Sequence, residues 1–446
     1  MKINRFLVFF VIVTVLCGIF TPNTVLASED DSINLPEFPE IQSQYVCLMD
    51  ADSGEVLFSR NSDSRCYPAS TTKLLTGLLA IENCKMDDII TFSANAVNSI
   101  EFGDAHASIA IGEQLTMEQA LYCLLLRSAN EVAYGIAEHI SGNMSNFAAL
   151  MNAKAASIGA VNTNFSNASG LTDIFHYTTP YDMALIAVEC FNSKELTKIS
   201  GHSGIYTIGP TNKNNFTRYY KHRYEMLKGG DYEYEYCLAG KTGYTDAAGS
   251  CLVSYAAKDD IRLVCVIFNS EDDTRYYDTE ALFDFYLNNY KKISIDKYTG
   301  ILENNNIELL NLTSKLSGKT SSLSFRDGAY LLVPKNVVAE NLTTIVTYSD
   351  SPAYPGVTGG FACISFFYED SNVGTLTIFP SSKQGSDHKV ATPYDDIFIE
   401  RKDYNYIDIR IIIGSVIIVA VAVFVIIFFI KKKRHYSNRA SKHLYF

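Results

Sequence analysis

Residues Tyr67–Ala80 read YPASTTKLLTGLLA, with Ser70 and Lys73 three positions apart at the head of an apolar run. Positions three apart on a helix are neighbours, so the two side chains share one face. The rest of the run is leucine, alanine and threonine. A lysine buried there costs several kcal/mol unless something is gained from it. Either Lys73 reaches the surface along its aliphatic stem, or it stays beside Ser70 for a chemical reason.

Working outward, the chain breaks into segments. Residues 28–40 are acidic and contain proline, which makes them a linker. QYVCLMDADSGEVLFSR, residues 44–60, holds two apolar runs around Asp50-Ala51-Asp52-Ser53-Gly54 and predicts a hairpin. The helix pattern covers residues 70–82. Thr116 and Gln119 form a capping box for a further helix. That apolar run stops at Arg127-Ser128-Ala129-Asn130, and a second helix starts near Glu131. Thr179-Pro180-Tyr181-Asp182 opens another, with Thr at the cap and Pro in the first turn. Asp182 reads as a capping residue and His176 as a packing residue that orients the turn before it. The tyrosines of 219–236 read as surface and cleft wall. AGKTGYTDAAGSCLVSYAAKDDIRLVCVIFNSE, from Ala239, predicts three antiparallel strands, the last two joined at Lys258-Asp259-Asp260, before a closing helix in ALFDFYLNNY.

Strands at both ends with helices between predict an α+β domain over 41–294, an antiparallel sheet covered by helices with an inserted helical subdomain. Residues 295–395 change to short strand-like runs (AYLLVP, TTIVTY, FACISFFY, GTLTIF) and predict a small β-rich domain. A connector, 396–410, leads to Ile411–Ile430, which carries no charge. At about 1.5 Å per residue that run spans the roughly 30 Å hydrocarbon core. The tail 431–446 opens with KKKRH, which belongs on the cytoplasmic side. Residues 1–27 have a basic start, an apolar run and Val25-Leu26-Ala27 before Ser28, the pattern of a secretory signal peptide. The two signals agree on a single-pass protein of the cell membrane, its catalytic part extracytoplasmic and its tail cytoplasmic.

The formal charge of −12 over 446 residues, with no basic stripe in the folded part, excludes nucleic acid as a partner. Ten cysteines become nine once the signal peptide is removed, and an odd number cannot all pair within one chain. Several sit in apolar runs, such as Cys123 and Cys265, and read as buried thiols. Cys66 and Cys237, each four residues before a motif, are not expected to form a bridge. No CxxC or HExxH occurs and the eight histidines are scattered, so no metal site is expected. Gly240-Lys241-Thr242 lacks the glycine at 235 that a phosphate loop needs, since that position is Glu235. No cofactor is implied.

Three elements carry chemistry: Ser70-x-x-Lys73, Ser128-x-Asn130 and Lys241-Thr242-Gly243. Each pattern is weak alone. Ser-x-x-Lys recurs at Ser294/Lys297 and Ser386/Lys389, and Ser-x-Asn at Ser32/Asn34, Ser93/Asn95 and Ser141/Asn143. Context selects among them. Ser70 opens a helix with its lysine alongside, and Ser128 sits at a tight break between two apolar helices. Lys241-Thr242-Gly243 begins a strand whose glycine leaves room for a ligand along the edge.

In this order and setting the three elements are the signature of active-site serine penicillin-recognising enzymes. PASTTKLLTGLLA, LLLRSANEVA, FHYTTPYDMA and GKTGYTDAAGSCLV resemble the serine D-alanyl-D-alanine carboxypeptidases, the low-molecular-mass penicillin-binding proteins, across roughly residues 41–290. Glu131 stands where Asp is commoner in that family, and Asn167-Ala168-Ser169-Gly170 replaces a commoner Pro-His-Gly turn. The resemblance implies the β-lactamase/penicillin-binding-protein fold and a peptidase of cell-wall peptidoglycan stem peptides, inhibited by β-lactams. It makes Ser70 the nucleophile, Lys73 its base and Ser128 the relay to the leaving D-alanine. Asn130 binds the substrate amide, Lys241 and Thr242 take the terminal carboxylate, and the N–H groups of Ser70 and Tyr244 form the oxyanion hole. Lys73, desolvated near Lys241, is expected to have a lowered pKa.

Three rivals stand beside this reading: a D,D-endopeptidase, a class-A-like β-lactamase, and a non-catalytic penicillin-binding scaffold. Against the lactamase, the nearest Glu-x-x-Asn text, Glu308-Leu309-Leu310-Asn311, lies after Lys241 and is misplaced for the deacylating glutamate. Against the scaffold, an idle protein gains nothing from a costly buried lysine.

Overall fold

The computed structural model describes residues 36–294, 322–324, 330–337, 341–348, 362–368 and 371–381. The signal peptide, connector, membrane segment and basic tail expected from the sequence lie outside the described residues. Among the described residues no helix is long and apolar enough to cross a membrane. By its contacts the chain divides into Met1–His388 and Lys389–Phe446, the second wholly outside the described residues.

The predicted hairpin forms β1 (Tyr45–Asp50) and β2 (Val56–Arg60). A 3-10 turn, Ala69–Thr72, leads into α1 (Lys73–Asn83). Then come β3 (Ile89–Thr91), α2 (Ala94–Val97), β4 (Gln114–Thr116), α3 (Met117–Leu126), α4 (Asn130–Ser141), α5 (Met144–Ser157), α6 (Pro180–Asn192) and α7 (Lys194–Ser200). The small hairpin β5 (Ile205–Ile208) and β6 (Arg218–Lys221) precedes the long strands β7 (Cys237–Thr245), β8 (Gly249–Lys258) and β9 (Ile261–Ser270). Helix α8 (Thr274–Asn289) runs directly into β10 (Tyr290–Ser294). The predicted caps are present: Thr116 and Gln119 make the capping box, and Thr179 Oγ1 accepts from the Asp182 N–H.

The first hairpin docks beside the last strand, giving a five-stranded antiparallel sheet in the order β2-β1-β9-β8-β7. Side chains alternate across it, and both faces are covered. Cys47, Met49, Val264, Val266 and Phe268 face the helices α1 and α3–α7, whereas Val46, Leu48, Leu263, Cys265 and Ile267 face α8. That double burial explains why β1 and β9 read as continuous apolar runs rather than as an alternating pattern. Helix α1 lies within the larger core, with every residue from Lys73 to Ala80 buried. All nine cysteines among the described residues are free, six of them buried.

The β-rich region follows. Strands β11 (Ser322–Ser324), β13 (Thr343–Tyr348), β14 (Ala362–Tyr368) and β15 (Ser371–Ser381) form one sheet in the order β11-β15-β14-β13, while β12 (Tyr330–Pro334) pairs with β10. Tyr290–Ser294, assigned by sequence to the α+β segment, therefore pairs across residue 295 with a strand of the region beyond it.

Two sequence expectations are corrected. The helix pattern from residue 70 opens as a 3-10 turn, because Ala69 takes a left-handed conformation (φ +47°). The tyrosines of 219–236 are not all surface and cleft wall. Tyr220, Tyr224 and Tyr234 are buried, and each phenol has a partner: the Ala107 carbonyl at 2.8 Å, the Cys237 sulfur at 3.1 Å and the Asp284 carboxylate at 3.0 Å. Buried tyrosines that satisfy their hydroxyls look no different in sequence from exposed ones.

A buried ion pair, Arg218 with Glu113, ties the β5–β6 hairpin to the segment before β4. Burial works to raise the Glu113 carboxyl, but the Ala110 N–H, the Thr211 hydroxyl, the Asn214 amide and Arg218 outweigh it and hold the carboxyl below its ordinary value. Breaking such a pair strands a charge in the interior. Arg218→Ala is therefore expected to cost about 3–5 kcal/mol, read as a lower urea midpoint. A change within experimental error would mean that Glu113 needs no cation.

Candidate active site

The site is built where α1, α4 and β7 begin or end. Ser70 lies in the 3-10 turn, Lys73 is the first residue of α1 and Asn130 the first of α4. Lys73 is fully buried, and its Nζ lies 2.9 Å from Ser70 Oγ, 2.7 Å from Asn130 Oδ1 and 2.5 Å from the Ser169 carbonyl oxygen. Among the described residues no carboxylate pairs with it. Burial, and next the charge of Lys241, push the Lys73 amine well below its ordinary value, against the opposing pull of Glu131 and Asp104. A neutral amine has two N–H groups and one lone pair. The amide oxygen of Asn130 and the carbonyl of Ser169 can only accept, so they take the two N–H groups and the lone pair is left for the Ser70 hydroxyl.

Lys241 in β7 is also buried, and burial, with Arg223 and Arg275, lowers it to about 7. Its Nζ donates to the Thr242 carbonyl at 2.7 Å. Arg223, itself lowered by burial and by Arg127, adds a cation, so this end of the site is positive in a chain of net negative charge. A Cβ built on Gly243 would stand 3.0 Å from the Pro68 carbonyl oxygen and the Ser70 nitrogen. Glycine is what lets the strand lie against the Ser70 turn. Tyr244 points outward, 63% exposed, its hydroxyl donating to Asp246 at 3.2 Å. Ser128 sits at the break between α3 and α4 with φ +59°, rare for a residue with a side chain. Its hydroxyl is buried and has no hydrogen-bond partner among the described residues. Lys73 thus contacts both Ser70 and Asn130, Gly243 abuts the Ser70 turn, Lys241 acts on Lys73 through its charge, and Ser128 hydrogen-bonds to none of them.

Two supports escaped the sequence reading. The Asn167–Gly170 turn supplies the Ser169 carbonyl to Lys73 and the Ala168 carbonyl to the Thr76 hydroxyl at 2.7 Å, and the Asn167 side chain accepts from the N–H groups of Ser169 and Gly170. A backbone acceptor has no side-chain signature, so nothing in the text of the turn announces it. Behind β7, His222 donates from Nε2 to the Ser200 carbonyl and accepts the Tyr224 N–H, while the Ser200 hydroxyl donates to the Gly240 carbonyl. Burial lowers His222 to about 3, so it stays neutral beside Lys241. His176 fits its expected role: burial lowers it to about 4, its Nδ1 accepts the Ser166 N–H, and Nε2 reaches the Thr72 hydroxyl at 2.9 Å. Asp182 does more than lie in a capped turn, since its carboxylate also accepts from the Asn162 N–H and the Thr163 hydroxyl. Glu131 is buried, accepts the Ala107 N–H at 2.7 Å, and is raised by that burial.

Comparison with known proteins bears on the family and the fold. The profile of the D-alanyl-D-alanine carboxypeptidase family matches residues 32–272, more than half of the chain. D-alanyl-D-alanine carboxypeptidase DacF of Bacillus subtilis is 32% identical over 256 residues, which are 56% of this chain and 63% of that protein. The chain thus spans less than two thirds of that relative's length. The crystal structure of a D-alanyl-D-alanine carboxypeptidase from Mycobacterium tuberculosis superposes with a TM-score of 0.51 at 27% identity, covering 56% of this chain and 93% of that one. DacD of Francisella tularensis, 21% identical with a TM-score of 0.58 over 82% of this chain and 100% of its own, shares the fold. The expected penicillin-binding-protein/β-lactamase-like α+β fold is therefore the fold observed.

Gly170 gives the sharpest test of the site's assembly. Its φ is +84°, and a Cβ there would lie 1.8 Å from the carbonyl oxygen of Ala69, the residue before Ser70. Gly170→Ala should displace the Ser70 turn, destabilise the fold by at least about 1–3 kcal/mol and lower turnover on the order of 100-fold. Thermal unfolding and labelling of Ser70 by a fluorescent penicillin read the two effects. Parent-like values in both would show that the turn does not bear on the nucleophile.

Proposed function

The chain belongs to the D-alanyl-D-alanine carboxypeptidase family, and on that footing we propose that it is a serine D,D-carboxypeptidase that trims the terminal D-alanine from peptidoglycan stem pentapeptides. The observation that carries the reading is that Lys73 Nζ, buried and with its affinity for a proton lowered, lies 2.9 Å from Ser70 Oγ between the Asn130 amide oxygen and the Ser169 carbonyl.

Lys73 takes the hydroxyl proton of Ser70 as Oγ attacks the carbonyl carbon of the penultimate D-alanine. The N–H groups of Ser70 and Tyr244 hold the oxyanion, each such donor contributing about 3–4 kcal/mol in the transition state. The C–N bond then breaks, and the leaving D-alanine nitrogen receives its proton through Ser128. A serine held in a rare backbone conformation with its buried hydroxyl unpartnered suits that relay. Asn130 binds the peptide amide, while Lys241 and Thr242 bind the terminal carboxylate, or that of a β-lactam. Water then attacks the acyl-serine and frees the shortened peptide. Among the described residues no carboxylate hydrogen-bonds Ser70 or Lys73, which favours a slowly deacylated penicillin adduct over rapid lactam hydrolysis. The two terminal sequence signals support an exported enzyme held at the cell membrane by residues 411–430.

With a pentapeptide ending in D-Ala-D-Ala, the parent should release D-alanine and be labelled by a fluorescent penicillin, and Ser70→Ala should do neither. Release that persists in Ser70→Ala would overturn the acyl-enzyme route. Carboxylate binding needs the charged form of Lys241, which prevails below about pH 7 and is lost above it. The kcat/KM should therefore fall by up to ~tenfold per pH unit above that value. Lys241→Arg, whose cation does not titrate, should remove this limb; a limb unmoved by the substitution would assign it to another group.

A further inference from the structure

Away from Ser70 the fold gathers one thiol, one carboxylate and one imidazole from separate elements. Cys84 caps the C-terminus of α1, Asp88 precedes β3, and His139 lies in the last turn of α4. Their donor atoms, one per residue, all lie within 4.8 Å of one another. We propose that Cys84, Asp88 and His139 bind a single zinc-type divalent cation, with water at the fourth position, and that this cation fastens α1 to α4.

The donor set suits the ion, because thiolate, imidazole and carboxylate are the three side chains that zinc accepts. Zinc-ligand distances of about 2.0–2.3 Å place the vertices of a tetrahedron roughly 3.3–3.8 Å apart, so small side-chain rotations close the triangle. Two helix C-termini meet here, and the partial negative charge of their last carbonyls favours a cation. In α1 no basic residue in the last turn answers that charge. The Asp88 carboxylate is held by the Lys85 N–H at 2.8 Å, in a turn closed by the Asp88 N–H on the Lys85 carbonyl. The site is open to solvent: His139 is exposed, and Cys84 is half-buried where six other thiols are buried.

Binding releases the thiol proton to solvent and leaves a thiolate on the ion. The consequence is mechanical. Lys73 and Asn130 begin α1 and α4 and meet at 2.7 Å, while the cation joins the opposite ends of the same two helices. At 1.5 Å per residue α1 separates the cation from Lys73 by about 16 Å, so the ion stabilises the frame and touches no substrate. This inference does not depend on the peptidase reading.

The test uses the purified full-length chain, reduced and stripped of metal, titrated with Co2+ and then with Zn2+. One equivalent of Co2+ should produce a thiolate-to-cobalt charge-transfer band and tetrahedral d–d bands, which Zn2+ displaces while raising the melting temperature. Cys84→Ser should abolish the charge-transfer band. His139→Gln, at an exposed position, should weaken binding by at least about 10–100-fold and leave metal-free D-alanine release and melting temperature unchanged. No charge-transfer band in the parent, a band surviving in Cys84→Ser, or unaltered affinity in His139→Gln would each overturn the proposal.

Discussion

The site depends on a lysine held in the core without an acid. Lys73 has three close polar neighbours and none of them is charged. An ammonium there would face the desolvation penalty with no ion pair to offset it. The fold resolves the conflict by lowering the amine's affinity for its proton, first through burial and then through the charge of Lys241. The same burial that is expensive for a cation favours the neutral amine. Lys73 is fully buried, and among the described residues its polar contacts are the Ser70 hydroxyl and two amide oxygens, with no carboxylate.

Holding that arrangement requires backbone that the sequence would not otherwise choose. Ala69 and Ser128 both sit at positive φ, one next to Ser70 and one two residues before Asn130. Such positions persist only where neighbours over-determine them. For Ala69 the neighbours are Gly170 and Gly243, whose missing side chains let two other segments press on the turn. For the β7 edge they are His222 and Ser200, which stay neutral and hydrogen-bonded behind Gly240 and Lys241. The candidate site is therefore a junction of segments far apart in the chain, held by backbone contacts as much as by side chains.

Much of the local structure was legible because local rules govern it. The Thr116/Gln119 box, the Thr179–Pro180 start, the Asp50–Gly54 hairpin and the turn at Lys258–Asp260 each rest on interactions within a few residues, and each is where the pattern places it. The misreadings have long-range causes. Tyr220, Tyr224 and Tyr234 are buried by elements far from them in the chain. The expected closing helix extends to Tyr290, yet Tyr290–Ser294 is a strand that pairs with Tyr330–Pro334.

By itself the sequence singled out the candidate reacting side chains, since Ser70, Lys73, Ser128, Asn130 and Lys241 stand in motifs whose spacing and helix or strand context are local properties. It also determined the α+β class, through strands at both ends of a helical stretch. Only the tertiary structure decided which acceptors occupy the Lys73 amine, because the Ser169 carbonyl arrives from 96 residues away and carries no side-chain signal. It alone decided that Cys84, Asp88 and His139 converge, because α1 and α4 end together only once their apolar faces pack. The reason is the same in both cases: capping, spacing and turn chemistry are written in neighbouring residues, whereas protonation, backbone acceptors and distant ligands are set by whatever the packed core brings alongside.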